Sequence, residues 1–449
     1  MKKFVFVFSL VLMLVLTSVT AFADEIIIRV DSVEVEFNDD LGFPFIDENN
    51  RTQVPFRATL EKYGAKVDWN EENKTAIASK DDITVEVPIG ENYIVKDGEK
   101  IAVDTAARIV NGRTYLPIRA VIEAFGSEVQ WDAALNTVVI TREPVDAKAI
   151  YLEAAEKSTS WKNYDVKALL NMSMEAPDDE GRLQSMKMNM DMDMTVFMDP
   201  FKAKIIVDIP VTVMDTEFME MMMEMYMVVD EEGYTTYTGT KDYTGEFTWF
   251  KQTMKDEVFT DLLKYSKNTT LPNNELTQKY TKDVKYFGNY TDETGRTLLR
   301  LEYTMSGDIY KELFEGYEEA MPEPTNEQEK MTYEAIKVLI NADLGDITFI
   351  VYIDEETGEM VKMEMDLASM VKSIVSQMSL IMGGMPQEVM DILNNLKAEM
   401  VAEYLNINEA ADFEIPEAAL NAPDVTEMLE NLEQYEELPT EEDIQDEVR

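Results

Sequence analysis

The sequence predicts an α+β chain in two parts, and three observations carry that prediction. A block in the front third returns at a constant offset of 62 residues: Arg51-Thr52-Gln53-Val54-Pro55-Phe56-Arg57-Ala58 comes back as Arg113-Thr114-Tyr115-Leu116-Pro117-Ile118-Arg119-Ala120. Gly64, Val67, Trp69 and Thr75 then land on Gly126, Val129, Trp131 and Thr137. A repeat of fixed period marks one supersecondary unit used twice. Behind it lies a run of long segments with apolar residues at every second position, the pattern of a strand with one buried face. Helical spacing appears before, between and after those strands.

The elements follow in order. Met1-Lys2-Lys3, the apolar run from Phe4 to Val15 and Ala21-Phe22-Ala23 have the charged, apolar and small-residue parts of a secretory signal peptide. Residues 1–23 are therefore expected to be removed, leaving a mature chain from Asp24. No cysteine follows the cleavage site, so the expected destination is secreted: extracellular, or held at the cell envelope without a lipid. No transmembrane segment is expected after cleavage, because the nearest apolar stretch, Leu367 to Met385, contains Lys372 and a Gly383-Gly384-Met385-Pro386 break.

A front domain over 24–142 contains the two copies, 50–78 and 112–141. In each, a short strand runs into Pro55 or Pro117, whose fixed φ suits a helix start, and Gly64 or Gly126 ends the helix about two turns on. Alternating residues around Trp69 and Trp131, a polar turn and a second apolar strand then form a hairpin. Each Trp is expected to close over its helix. Asp97-Gly98 signals a further hairpin turn between the copies.

Gly112, Arg113, Pro117, Arg119, Gly126, Trp131 and Asp132 match the pattern Gly-Arg-Thr-x-Val-Pro-x-Arg, helix, Gly, Val-x-Trp-Asp. On those residues, 26–142 resembles the copper amine oxidase N-terminal domain family. The first copy departs from the pattern with Asn50 in place of the leading glycine. The resemblance implies a small antiparallel sheet packed on a helix, serving as a non-catalytic, stalk-like surface or spacer module. Arg57 and Arg119 are candidate surface contacts to an anion or a wall polymer. The competing structural reading pairs them with Glu61 and Glu123 four residues on.

After Glu143-Pro144-Val145 the pattern changes, and a second domain is expected over 145–420. It opens with a helix over 147–157. Strands follow at 166–174, 186–194, 203–213, 218–229, 234–239 and 247–250, then helices at 256–267, 307–319 and 327–340, with a charged loop at 321–325. Strands at 346–353 and 359–366, and amphipathic helices at 368–381 and 387–405, complete it. From Met186 to Met194 every second residue is methionine, so Met186, Met188, Met190, Met192 and Met194 share one face while Lys187, Asn189, Asp191 and Asp193 face water. This order resembles secreted bacterial proteins of the lipoprotein-carrier (LolA/LppX-like) fold. That resemblance implies a curved antiparallel half-barrel with packed helices plugging its concave side, and an apolar cavity between. The methionines of 186–194, with Met221, Met223 and Met225, are the candidate cavity lining for a lipid or other apolar ligand. The competing reading is a filled core with methionine as adaptable filler. An acidic tail over 421–449 is expected to hold a short helix.

Composition excludes several chemistries. The chain has 449 residues, 89 acidic against 40 basic, and a net charge of −49. Such a field repels nucleic acid and anionic lipid headgroups and suits cations, a basic partner or a salty medium. There is no cysteine and no histidine, so disulfides, thiolate metal sites, Ser-His-Asp catalysis and imidazole metal sites cannot be built. Ser160-Trp161-Lys162-Asn163-Tyr164-Asp165 resembles the context in which copper amine oxidases make a quinone from tyrosine. That chemistry needs copper on three imidazoles, so Asn163-Tyr164 reads instead as a turn into the first rear strand.

Of the 31 methionines, Met188, Met190 and Met192, or a second cluster over 219–227, offer soft ligands for Cu(I). That is an alternative to the filler reading, which takes these residues as ordinary apolar side chains. The expectation is a non-enzymatic, two-domain envelope protein with no cofactor and no metal. It presents a domain for an apolar ligand, or else acts as a wall-associated spacer that contacts a cell-wall polymer or an envelope protein.

Overall fold

The structure, a computed structural model, describes residues 26–177, 183–213, 216–229, 233–241, 245–254, 274–313, 333, 337, 343–381 and 387–425. The expected signal peptide, the helix over 256–267, the loop at 321–325, most of the helix over 327–340 and the tail helix beyond Val425 lie outside the described residues.

The front part contains β1 (Ile27–Val30), β2 (Val33–Glu34), β3 (Phe45–Ile46), β4 (Thr52–Pro55), α1 (Phe56–Tyr63), β5 (Lys66–Asn70), β6 (Thr75–Lys80), β7 (Ile83–Pro88), β8 (Tyr93–Lys96), β9 (Glu99–Ala102), β10 (Arg108–Val110), β11 (Arg113–Pro117), α2 (Ile118–Ala124), β12 (Glu128–Asp132) and β13 (Thr137–Thr141). Pro55 and Pro117 cap the helices at their N-termini, and Gly64 ends α1 in the left-handed region at φ 96°. The two copies meet through β4 and β11, which pair antiparallel with Val54 opposite Leu116. These two residues are repeat equivalents, so the copies are related by a local two-fold axis through that pair. Both are fully buried.

The single small antiparallel sheet expected here is resolved into three: β12-β13-β1-β2, β10-β11-β4-β3 and β5-β6-β7-β8-β9. One pair, β1 with β13, is parallel. The duplication explains the division. Each copy supplies a strand to the shared middle sheet and a hairpin to a sheet of its own, and β1 extends the second hairpin because its Ile28 and Val30 add to the common core.

The rear part contains α3 (Ala147–Ser158), β14 (Asn163–Pro177), β15 (Leu183–Met198), β16 (Phe201–Val213), β17 (Thr216–Val229), β18 (Tyr234–Lys241), β19 (Phe247–Met254), α4 (Asn274–Tyr280), β20 (Thr281–Thr291), β21 (Thr297–Ser306), α5 (Asp308–Leu313), β22 (Asp346–Asp354), β23 (Met360–Asp366), α6 (Ala368–Ile381), α7 (Gln387–Asn394), β24 (Lys397–Leu405) and α8 (Glu417–Leu420). Its strands form one antiparallel half-barrel of 11 strands in the order β19-β18-β17-β16-β15-β14-β24-β23-β22-β21-β20. α3 and α6 lie on the inner face, where Tyr151 stacks on Tyr303 at 4.0 Å and Val371 and Leu367 join the core.

The helix expected over 387–405 is corrected. Only Gln387–Asn394 is helical, and Lys397–Leu405 is the central strand β24, between β14 and β23. Ala398, Met400 and Ala402 are buried at period two, and tertiary pairing on both sides outweighs the helical propensity of the stretch. The hairpin of β20 and β21 is an addition to the expected elements.

The two parts join on the outer face of β20 to β22. Arg300 is only 1% exposed. Its Nε and Nη2 donate to the two carboxylate oxygens of Asp132 at 2.8 and 3.0 Å, and its Nη1 donates to the Tyr352 hydroxyl at 2.7 Å. Glu364 lies 3.5 Å away, and Phe287 and Tyr352 place their rings near the guanidinium. Burial opposes the charge on Arg300, but Asp132 and Glu364 outweigh it and hold its pKa above the ordinary value. Beside this pair, β20 bulges at Gly288, at φ +87°, where an added Cβ would lie 2.9 Å from Ser32 Oγ. That hydroxyl accepts from the Asn289 N–H at 2.6 Å.

Removing one partner of a buried pair strands the other, at a cost of about 3–5 kcal/mol. Asp132→Ala is therefore expected to lower stability by about that amount in urea unfolding. The double variant Asp132→Leu with Arg300→Met is expected to recover most of the loss.

Candidate functional site

Two surfaces emerge from the residues singled out by the sequence. The first is the methionine wall on the inner face of the half-barrel. Cross-strand register carries one apolar row from β14 through β15 and β16 to β17: Leu170 faces Met190, Ala168 faces Met192, Met192 faces Val207, and Val207 faces Met223. Met194, Ile205 and Met225 continue a parallel row.

Burial changes along these rows. Met190 and Met192 are 2% and 7% exposed and belong to the rear core, with Met188, Met194 and Met221 packed against it. Met223 and Met225 are half-buried. The side chain of Met186 lies outside the described ones, although its backbone pairs with Met174 and Val213. Lys187, Asn189, Asp191 and Asp193 are exposed on the other face. Of the second methionine cluster, Met222 points to the outer face, because it alternates with Met221 and Met223. Among the described residues no group of three or more acidic side chains is arranged to hold a metal ion.

Tyr164, in the stretch resembling a quinone-forming tyrosine, starts β14 and sits with Trp161 and Tyr404 in an aromatic cluster at 5.2 and 6.1 Å. Burial pushes its hydroxyl pKa up, so it is a packed neutral phenol.

Residues 406–425 run across one end of the outer face, over Phe197, Lys202 and Tyr226. Asn408 N–H donates to the Asn163 carbonyl at 2.7 Å. Phe413 packs between Phe197 and Tyr226, and Lys202 pairs with Asp412. The segment ends by pairing alongside edge strand β19, with Lys251 N–H donating to the Pro423 carbonyl and Val425 N–H to the Lys251 carbonyl. Tyr226, buried there, has its hydroxyl pushed up to about 12 by burial and by the neighbouring Glu224 carboxylate.

The second surface is a cleft of about 900 Å³ between the two copies of the front part. α2 contributes Arg119 and Glu123, β12 contributes Gln130 and Trp131, and the loops before β4 and after β9 contribute Arg51 and Asp104. Arg51 and Asp104 pair at 2.6 Å. Arg119 donates to the Val129 carbonyl at 2.6 Å and pairs with Glu123 at 3.6 Å, while Arg57 pairs with Glu61 at 3.3 Å on α1. The two arginines therefore differ: both make their helix pair, and Arg119 alone lines the cleft.

The wall carrying Arg51 is organised by Asp47, which accepts from Thr105 at 2.6 Å, from Gln53 at 2.9 Å, and from the N–H groups of Asn49 and Arg51 at 2.9 and 3.0 Å. Alternating composition gives no hint of this residue. Its only sequence signal is its place three residues before Asn50, where an Asx turn fits.

A model of the copper amine oxidase N-terminal domain matches residues 23–140, and a model described as a family of unknown function (DUF6612) matches residues 146–424. No curated protein matches the chain. Among solved structures, the chain is similar to a DUF1329 family protein from Desulfovibrio piger. The identity is 9%, the match covers 60% of this chain and 96% of that one, and the TM-score is 0.17.

Burial raises the Asp47 pKa, and its four hydrogen-bond donors together bring it down to about 2. A depressed carboxylate stabilises the folded state above its unfolded pKa, and the contribution is lost as pH falls through the folded one. Asp47→Asn is expected to cost on the order of 2 kcal/mol at pH 6. The gap to the parent should close between pH 4 and pH 2, which urea midpoints across that range measure.

Proposed function

We propose that this chain, which belongs to the family of unknown function DUF6612 and carries a copper amine oxidase N-terminal domain ahead of it, is a non-catalytic binding protein of the cell envelope whose half-barrel takes an apolar ligand. One observation carries the reading: the apolar row through Met192 passes from burial on β15 to half-burial at Met223 on β17, beside the half-buried Met225. Unbranched thioether side chains repack around varied shapes at little cost, which is how methionine-rich surfaces accept different apolar partners. The front module is fixed to the rear domain by the buried Arg300–Asp132 pair. Its part in this reading is to hold the half-barrel at a defined distance from whatever the front module contacts. The leader-like first 23 residues support export. Among the described residues no helix is long and apolar enough to cross a membrane.

The test uses the neutral apolar probe N-phenyl-1-naphthylamine, because a net charge of −49 disfavours anionic ones. Titration of the full chain is expected to give saturable fluorescence enhancement. The double variant Met223→Asp, Met225→Asp should weaken it at least tenfold while leaving far-UV circular dichroism unchanged. An absence of saturable enhancement with the parent chain would contradict the reading.

A further inference from the structure

The two copies of the front repeat have the same local architecture and different surroundings, and the difference falls at their tryptophans. In the first copy the Trp69 indole N–H donates to its own Glu71 carboxylate at 2.5 Å. The offset of 62 puts Ala133 at the matching position of the second copy. Trp131 consequently has no partner for its indole N–H among the described residues, and it is this Trp that lines the cleft. A second asymmetry concerns the arginines that open each copy. Arg113 is engaged by the carbonyls of Asp39 and Asp40, whereas its counterpart Arg51 stays at the cleft wall, half exposed and held by Asp104.

We propose that this cleft is a binding site for a neutral oligosaccharide. At about 900 Å³ it falls within the range of small-ligand sites, roughly 300–1,000 Å³. Its charges are matched in advance: Arg51 with Asp104 and Arg119 with Glu123. An anion would sit beside the Asp104 and Glu123 carboxylates as well as the guanidiniums, and a cation beside the guanidiniums as well as the carboxylates, so neither gains a net Coulomb attraction. A purely apolar ligand would bury both ion pairs and Gln130 without new partners, which costs free energy for each unsatisfied group.

A polyhydroxylated ring meets none of these objections. Its hydroxyls donate to Asp104 and Glu123 and accept from Arg51, Arg119 and Gln130 without breaking the pairs, since each carboxylate and guanidinium has spare hydrogen-bonding positions. Its apolar C–H face lies against the indole, and the free indole N–H supplies one more donor; an amphipathic ring with an apolar body and a polar handle is what tryptophan offers a ligand. In the first copy Glu71 occupies that donor internally, so the site is formed once.

The full chain is titrated by calorimetry and tryptophan fluorescence with the trisaccharide of N-acetylglucosamine, with cellotriose and with inorganic phosphate. Saturable binding of at least one sugar and none of phosphate is expected. Ala133→Glu, a change in an exposed turn that copies the internal acceptor of the first repeat, is expected to weaken sugar binding at least tenfold with an unchanged thermal midpoint. Trp131→Phe, which keeps a ring and removes the donor, is expected to weaken it less than Trp131→Ala. No response to either sugar, a response to phosphate alone, or sugar affinity unaltered by Ala133→Glu would each overturn the proposal.

Discussion

Arg300 is a cation with almost no water around it, and the arrangement of the whole chain follows from how that charge is met. A guanidinium taken from water into a protein interior carries a desolvation penalty of several kcal/mol, offset only by good geometry and full hydrogen bonding. Here both conditions hold: a two-point contact to Asp132, a hydroxyl from Tyr352 and a second carboxylate at Glu364. Asp132 belongs to the front part and Tyr352 and Glu364 to the rear, so the two-point carboxylate contact to Arg300 exists only when the two are docked. The neighbouring residue, Trp131, lies on the opposite face of the same strand, as period-two geometry requires. One strand end thus presents its acid to the joint and its indole to the cleft.

A sheet of 11 strands has two edges, and each is accounted for. An unpaired edge is a template for association with other chains. At β20 the bulge at Gly288 and the contact with Ser32 bring the front part against the sheet. At β19 the segment ending in Pro423 to Val425 pairs with Lys251. On the inner face α3 packs against β20, β21 and β23, α6 against β24 and α7 against β14, and on β17 Met223 and Met225 are half-buried. The apolar surface of this face is continuous, and its burial falls from Met192 on β15 to Met223 on β17.

Much of this was legible in the sequence, for identifiable reasons. The duplication, its proline and glycine helix boundaries and the alternating methionines are local signals, and the structure has Pro55, Gly64 and the face shared by Met188 to Met194 where periodicity puts them. The misread stretch, Lys397–Leu405, has apolar residues compatible with either period. Only its two neighbouring strands decide the matter, and neither is local to it. The joint was illegible for the same reason: Asp132 and Arg300 are 168 residues apart. Within the repeat motif Asp132 reads as a turn residue, and it does cap the following turn through the Leu135 N–H at 3.3 Å. The cleft was half legible. Arg119 stands out in the repeat motif, but the loss of an acceptor at Ala133 is a difference between the copies, and a repeat is recognised by what its copies share.

If the buried pair makes the front and rear parts one body, they unfold together. Differential scanning calorimetry of the mature chain tests this most directly. The account predicts one transition whose calorimetric and van't Hoff enthalpies agree, splitting into two when Asp132 is replaced by Ala. Two separate transitions in the parent chain, unaffected by that replacement, would contradict it.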